Sequence, residues 1–156
     1  MNKISPSLHE IMMRHAILIA RQNPTHPFGT VIVNDEGDVI AEGVNRGAEN
    51  PILHGEIDAI NECAKEHQNE DWSKFILYST AEPCPMCMSA ILWSGIPAVI
   101  YGTSIATLKE LGWRQISINS QEVIARSWDP ELAIRGGVLE EDCDRLFESA
   151  SENRSS

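Results

Sequence analysis

The 156-residue sequence lacks the features that would place it in several large classes of protein. Its longest apolar stretches are far too short to cross a bilayer, so no contact with a membrane is predicted. It begins without the basic and then apolar segment of a secretory signal, and its four cysteines show no evident disulfide framework. These absences favour a cytoplasmic protein with one domain over residues 1–150 and a frayed polar tail over 151–156.

Basic residues are also scarce, and they are scattered singly along the chain. The sequence has 12 lysines and arginines against 23 aspartates and glutamates, which gives a net charge of −11. A protein that neutralises backbone phosphates usually shows a basic stripe or patch. An acidic surface can simply aid solubility, but the balance still counts against a polynucleotide as the substrate.

Two short motifs supply the side chains of a metal site. A His-Gly-Glu triplet at 54–56 is followed about thirty residues later by Pro-Cys-Pro-Met-Cys at 83–87. His54, Cys84 and Cys87 are donors that suit Zn²⁺, and three protein ligands leave the fourth tetrahedral position for water, as in catalytic sites. Glu56 is left beside the metal as a carboxylate. The sequence therefore predicts one catalytic zinc ion per chain.

The chemistry of such a site requires each of these residue types. Zinc lowers the pKa of its bound water to about 7, so that hydroxide is available at neutral pH. Glu56 can take up the proton as a general base and return it as a general acid. The arrangement matches the signature of zinc deaminases, in which hydroxide attacks the amino-bearing ring carbon and ammonia leaves.

Helical periodicity supports this set of ligands. Apolar residues recur at helical spacing after His54, which predicts a helix over about 54–67 with His54 and Glu56 in its first turn. Cys84 and Cys87 are three residues apart at the start of a second predicted helix, where proline is tolerated. The positive ends of the two helix dipoles would favour thiolate and hydroxide at the point where they meet.

The cysteines are also compatible with other kinds of site. A Cys-x-x-Cys pair alone is often a structural knuckle or a redox pair, and the nearby His-x-Glu counts against both. Cys63 could complete a structural site, but it lies nine residues beyond His54, about 13 Å along a helix axis. One metal cannot reach both residues unless the helix breaks. Cys63 and Cys143 are therefore predicted to be small buried apolar residues.

The predicted elements alternate between helices and strands after an initial hairpin. This order predicts an α/β fold with a mostly parallel sheet, helices on both faces and an antiparallel pair formed by the first two strands. The segment 116–124 is ambiguous. The predicted helices are 8–22, 54–67, 85–93, 105–112 and 140–149, and the predicted strands are 28–33, 39–44, 75–79 and 98–102.

Several segments together resemble the cytidine deaminase-like superfamily, over about residues 8 to 112. They are Asn-Pro-Thr-His-Pro-Phe-Gly at 23–29, the strand 30–33, Gly-Val-Asn at 43–45, His-Gly-Glu at 54–56 and Thr-Ala-Glu-Pro-Cys-Pro-Met-Cys at 80–87. The resemblance implies a three-layer α/β/α fold around a five-stranded mixed sheet, assembled as a homodimer or a higher homo-oligomer. The motifs are most similar to bacterial guanine deaminases and tRNA adenosine deaminases, whereas His-Gly-Glu is seen in fungal cytosine deaminases.

The resemblance also implies roles for residues around the metal. Asn45, at the end of the second strand, would hydrogen-bond the substrate base, and this role is favoured over that of a turn residue after Gly43. Phe28 would pack against the ring or belong to the core. Trp93 would face the pocket or lie on a buried helix face. The backbone N–H groups around Ala81 and Cys84 would help to hold the base or the water.

The chain departs from the guanine deaminase pattern in two places. Those enzymes carry an acidic residue near a Gly-Phe-Asp segment, where this chain has Leu-Gly-Trp-Arg-Gln at 111–115. Their aromatic-ended tail is replaced here by a polar one. The predicted substrate is consequently a small purine or pyrimidine base or nucleoside, of guanine type or a related aminated ring. The alternatives are tRNA adenosine, cytosine and a non-catalytic zinc-binding module. No role is predicted for His26, Trp113 or Arg114.

Overall fold

The centre of the protein is a five-stranded sheet with the strand order β2-β1-β3-β4-β5. The structure, a computed structural model, describes residues 6–155. All the residues of β1 and β3 are buried, as expected for strands that helices cover on both faces. The strands are β1 (Gly29–Val33), β2 (Val39–Val44), β3 (Ile76–Ala81), β4 (Ala98–Thr103) and β5 (Ala133–Arg135).

The pairing confirms a mixed sheet and corrects one detail of the prediction. Strand β1 pairs antiparallel with both β2 and β3, while β3–β4 and β4–β5 are parallel. The antiparallel pair of the first two strands at one edge is confirmed. The expectation of a mostly parallel sheet is wrong, because only half of the strand pairings are parallel. Strand β1 of the hairpin also pairs antiparallel with β3, which was not expected.

Helices cover both faces of the sheet, so the predicted three-layer α/β/α fold is confirmed. One core cluster joins α1 and α6 to one face, and a second joins α2, α3 and α5 to the other. The helices are α1 (Pro6–Ala20), α2 (Gly55–His67), α3 (Pro85–Ser94), α4 (Ile105–Glu110), α5 (Ser120–Ala125) and α6 (Glu140–Ser155), with a short 3₁₀ turn at Trp72–Lys74. Among the described residues, none of these helices is both long and apolar enough to span a membrane.

The largest differences from the predicted elements lie in the last third of the chain. Strand β5 was not predicted, because three partly exposed residues carry no periodic pattern. The ambiguous segment 116–124 is a loop that leads into α5. Helix α6 was predicted to end at Ser149 but continues to Ser155, so 151–155 is helical where a frayed tail was predicted, and Ser156 lies outside the described residues. The assignment of a single domain stays a prediction.

Gly43 determines how closely α2 approaches the sheet. A β-carbon at this position of β2 would overlap the backbone nitrogen of Ala59 and the carbonyl oxygen of Gly55. Both atoms belong to α2, so the helix backbone rests directly on the strand. This contact fixes the first turn of α2, which carries His54 and Glu56, over one end of the sheet.

Gly43→Ala is therefore expected to lower the free energy of unfolding by about 2 kcal/mol or more, since the added methyl group must displace helix backbone and not a flexible side chain. Urea denaturation followed by circular dichroism measures the change. A variant with the stability of the wild type would show that α2 does not press on β2.

Candidate functional site

Three metal-donor atoms meet where α2 and α3 begin. His54 is the N-cap residue of α2 and Cys84 is the N-cap residue of α3, while Cys87 lies in the first turn of α3. The Nδ1 atom of His54 lies 3.6 Å from the Cys84 sulfur and 3.5 Å from the Cys87 sulfur. Neither cap side chain bonds its own helix. Both are therefore available to a metal, at the positive ends of the two helices.

These distances fit a zinc ion. Tetrahedral zinc, with bonds of about 2.3 Å to sulfur and about 2.0–2.1 Å to nitrogen, places nitrogen and sulfur about 3.5 Å apart. The three donor atoms lie within 4.8 Å of one another, and His54, Cys84 and Cys87 are the group that could hold a metal ion within residues 6–155. The site supplies three protein ligands, as predicted, and Cys63 is not among them.

Cys63 and Cys143 are buried elsewhere. The side chain of Cys63 is fully buried with α3 residues in the core cluster beneath α2, and burial raises its pKa to about 11. Cys143 lies in the cluster on the opposite face of the sheet, and burial raises its pKa to about 12. Both therefore stay protonated thiols, which is the state expected of apolar packing residues and not of metal ligands.

The two thiols of the site differ in their acidity. Hydrogen bonding from Cys87, and also from His54, lowers the pKa of Cys84 to about 4. The pKa of Cys87 is raised well above its ordinary value, first by its hydrogen bond to the Cys84 thiolate and then by burial. The bond to Cys84 also raises the pKa of His54. The lowered pKa favours the thiolate form of Cys84, which is the form that binds zinc.

Glu56 lies beside these donors without being one of them. It is only 4% exposed, and its Oε1 atom is buried with no hydrogen-bond partner among the described residues. Burial, and after it the neighbouring Cys84 thiolate, raise its pKa to about 7. A buried carboxylate oxygen without a partner is costly, unless a water or an ion completes it. This unpaired atom fits the water that a three-ligand zinc ion carries.

A second buried carboxylate was missed by the sequence analysis. Glu82 accepts hydrogen bonds from the backbone nitrogens of Ile105 at 3.0 Å and Ser120 at 2.8 Å. The hydroxyl of Ser120 donates to the carbonyl of Pro83 at 2.7 Å. These bonds fix the Pro-Cys-Pro-Met-Cys segment to the starts of α4 and α5. Glu82 thus helps to position the cysteines.

An open cleft of about 810 Å³ leads to the metal donors. His54 lines it, together with the loop before β1, the end of β2 and the segment after α4. The lining residues are Asn23, Thr25, His26, Phe28, Asn45, Gly47, Ala48, Pro51, His54, Trp113 and Arg114. Trp113 packs edge-on against His26 and Phe28, with ring centroids 5.8 and 5.4 Å apart.

Asn45 and Phe28 lie in this cleft, where substrate-binding residues were predicted. The side-chain oxygen of Asn45 accepts from the backbone nitrogen of Gly47 at 2.9 Å, so its turn role is real. Its side-chain amide nitrogen can donate a hydrogen bond to a ligand. Phe28 both lines the cleft and packs against Phe147, with ring centroids 4.9 Å apart.

Trp93 and Ala81 are not among the described residues that line the cleft. Trp93 is 77% exposed and packs against Trp128 beside a separate pocket of about 330 Å³. Trp93 was predicted either to face the pocket or to lie on a buried helix face. The structure shows neither, because Trp93 does not line this cleft and is exposed. Ala81 is buried at the end of β3, and its nitrogen donates to the hydroxyl of Ser79 over 3.4 Å.

Three residues for which no role was predicted also line the cleft. They are His26, Trp113 and Arg114, and the two last follow the end of α4. Trp113 is buried, and its indole nitrogen donates to the carbonyl of Phe147 at 3.3 Å. That bond joins the segment after α4 to α6. A long-range contact of this kind has no periodic signal in the sequence.

Comparison with known proteins identifies one family and several of its members. Residues 6–103 match the family described as the cytidine and deoxycytidylate deaminase zinc-binding region. The chain is 32% identical to a probable cytosine deaminase from Schizosaccharomyces pombe, over 83% of this chain and 84% of that protein. It is 36% identical to the guanine deaminase of Bacillus subtilis, over 67% of this chain and 70% of that protein.

A third relative matches more of the chain, and a solved structure shares the fold. The tRNA-specific adenosine deaminase of Haemophilus influenzae is 31% identical over 97% of this chain and 88% of its own length. A guanine deaminase structure from Nitrosomonas europaea superposes with a TM-score of 0.77 at 22% identity, covering 92% of this chain and 84% of that one. The similarity to this solved structure, at 22% identity, concerns the fold alone.

Proposed function

This protein is a member of the cytidine and deoxycytidylate deaminase family, a zinc-dependent hydrolytic deaminase, and from that premise we propose that it deaminates a small aminated heterocycle. The proposed substrate is a free base or nucleoside, guanine-like or a related ring. One observation carries the proposal: the unpaired Oε1 atom of buried Glu56 lies beside three zinc donors, at the end of a cleft. The 36% identity to a guanine deaminase supports the guanine-like ring.

In this proposal Glu56 carries the proton through the reaction. His54, Cys84 and Cys87 would hold a zinc ion, which when bound would supply hydroxide near neutral pH. The Glu56 carboxylate would accept one proton from the attacking water and donate it to the departing amino group. The ring carbon gains a bond to oxygen and loses its bond to nitrogen, so that one water is consumed and one ammonia is released.

Asn45 is proposed to orient the ring. Its oxygen is held by Gly47 and its backbone nitrogen donates to Phe28 at 3.1 Å, so the amide nitrogen is presented in a fixed direction. A donor fixed in this way suits a ring nitrogen or a carbonyl oxygen of the substrate. Phe28 and Trp113 supply apolar walls on one side of the cleft.

Asn45→Ala is expected to lower kcat/KM by 1–3 kcal/mol, or about 5- to 150-fold, because a ring acceptor would lose its donor. Steady-state kinetics of ammonia release measures this change.

Asn45→Asp separates the two roles of this residue. The aspartate keeps an oxygen for the nitrogen of Gly47 but has no amide donor, so it is expected to keep the wild-type stability and lose kcat/KM. If Asn45→Asp matched the wild type in kcat/KM while Asn45→Ala lost only stability, Asn45 would be a turn residue alone.

A panel of substrates tests the proposal. Ammonia release is measured from guanine, adenine, cytosine and isocytosine, from their nucleosides and from a tRNA anticodon stem. The expected result is turnover of at least one base or nucleoside with a kcat/KM well above that of the tRNA. Efficient turnover of the tRNA alone would overturn the proposal.

Deamination of tRNA adenosine is the second candidate. The observation in its favour is the Haemophilus influenzae relative, which matches nearly the whole chain. The net charge of −11 favours a small substrate instead, because a polynucleotide needs cations along its backbone. Together with the small substrate, we propose that the protein forms a homo-oligomer and is cytoplasmic.

A further inference from the structure

The cleft differs in charge from the rest of the protein. The whole chain has a net charge of −11, yet no described residue lining the cleft is an aspartate or a glutamate. Arg114 lines its wall and is exposed. A ligand in the cleft therefore meets a guanidinium group with no lining carboxylate to neutralise it.

Hydrogen bonds within the protein engage the side-chain oxygens of both lining asparagines. The Asn45 oxygen accepts from Gly47, and the Asn23 oxygen accepts from the hydroxyl of Thr25 and the nitrogen of His26. The amide nitrogen of Asn23 donates to the carbonyl of Asn45 at 3.0 Å. The lining also carries two donors for which the described part of the chain shows no partner, the Asn45 amide nitrogen and the Arg114 guanidinium.

The position of Arg114 is fixed through its neighbour. Trp113 is buried, packs edge-on against Phe28 and donates to the carbonyl of Phe147. The backbone that carries Arg114 is therefore held against the cleft, with the exposed Arg114 at its wall. A guanidinium group can form two parallel hydrogen bonds with a phosphate or a carboxylate.

We propose that Arg114 is a specificity-determining residue, which favours aminated heterocycles that carry an anionic substituent, a phosphate or a carboxylate, over their neutral counterparts. This inference rests on the proposed function, because it assumes that the ring enters the same cleft. The volume of about 810 Å³ lies in the upper part of the range for ligand pockets, so it has room for a ring with a substituent.

Matched pairs of ligands test this proposal in the zinc-loaded protein. Guanosine is compared with its 5′-monophosphate, cytidine with its 5′-monophosphate, and cytosine with 5-carboxycytosine, by kcat/KM and by the dissociation constant from calorimetry. The wild type is expected to favour the anionic member of at least one pair by about tenfold. The phosphate and carboxylate pairs distinguish the two anionic groups.

Arg114→Gln is expected to reduce that preference to about onefold, and Arg114→Glu to reverse it. Arg126→Gln, at an exposed arginine beside the separate Trp93 pocket, is the matched control and should keep the tenfold ratio. High salt should also reduce the ratio, because it screens exposed charges.

Two outcomes would overturn the inference: equal affinity of the wild type for both members of every pair, or a preference that survives Arg114→Gln. Turnover without a preference refutes the inference alone. An Arg114-dependent preference in binding, with no ammonia released from any ligand, supports the anion specificity and refutes the proposed function.

Discussion

Replacing Glu56 with glutamine is expected to lower kcat for ammonia release by about 10²- to 10⁴-fold, the usual contribution of a positioned general acid–base group. Glutamine has nearly the same shape as glutamate but cannot carry the proton. Because Glu56 is not one of the metal donors, the zinc content should stay at one ion per chain. Steady-state kinetics and metal analysis of the purified variant measure the two effects.

The same substitution should leave the protein at least as stable as the wild type. The carboxylate is 4% exposed and its Oε1 atom has no described partner, so removing its charge relieves a desolvation cost. Glu66→Gln, at an exposed position of the same helix, is the matched control and should keep full activity. Wild-type kcat in Glu56→Gln would contradict the role of Glu56 as the proton carrier.

Removal of zinc is expected to abolish deamination and also to destabilise the fold. A ligand that binds only the folded state contributes about 4 kcal/mol at a free concentration 1,000 times its dissociation constant. Here the metal also joins the starts of α2 and α3 through His54, Cys84 and Cys87. Thermal unfolding and ammonia release, measured before and after dialysis against a chelator, report the two losses, and added Zn²⁺ should restore both.

Cysteine variants identify the ligands independently. Cys84→Ser should lower the zinc content and the activity together, whereas Cys63→Ala should keep one zinc ion per chain because that thiol packs in the core. Loss of zinc in Cys63→Ala with retention in Cys84→Ser would refute the assignment of the donors. Full activity of the metal-depleted protein would refute a catalytic metal.

The metal donors could be predicted from the sequence because they belong to local patterns. His54 is the N-cap residue of α2 and Glu56 lies in its first turn, while Cys84 is the N-cap residue of α3 and Cys87 lies in its first turn. Helical periodicity fixes such positions within a few residues. The distance along the helix also excluded Cys63, which the structure buries in the core.

The remaining residues of the site depend on contacts that are distant in the sequence. Glu82 meets Ser120 from 38 residues away, and Trp113 meets Phe147 from 34 residues away. Neither pair produces a periodic pattern in the sequence. The buried position of Glu82, and the position of Arg114 beside Trp113 at the cleft, therefore follow only from the folded structure. Trp93 was predicted to face the pocket or to be buried, because tryptophan is highly buried on average, but it is exposed.

The isotope content of the product tests the central claim, hydrolytic deamination, most directly. The zinc-loaded protein is incubated in water enriched in ¹⁸O with the panel substrate that has the highest kcat/KM, and the product and ammonia are quantified. The expected result is one ¹⁸O atom in each product molecule and one equivalent of ammonia, with no exchange when the product is incubated alone. A product without ¹⁸O, or one formed without ammonia, would contradict the account.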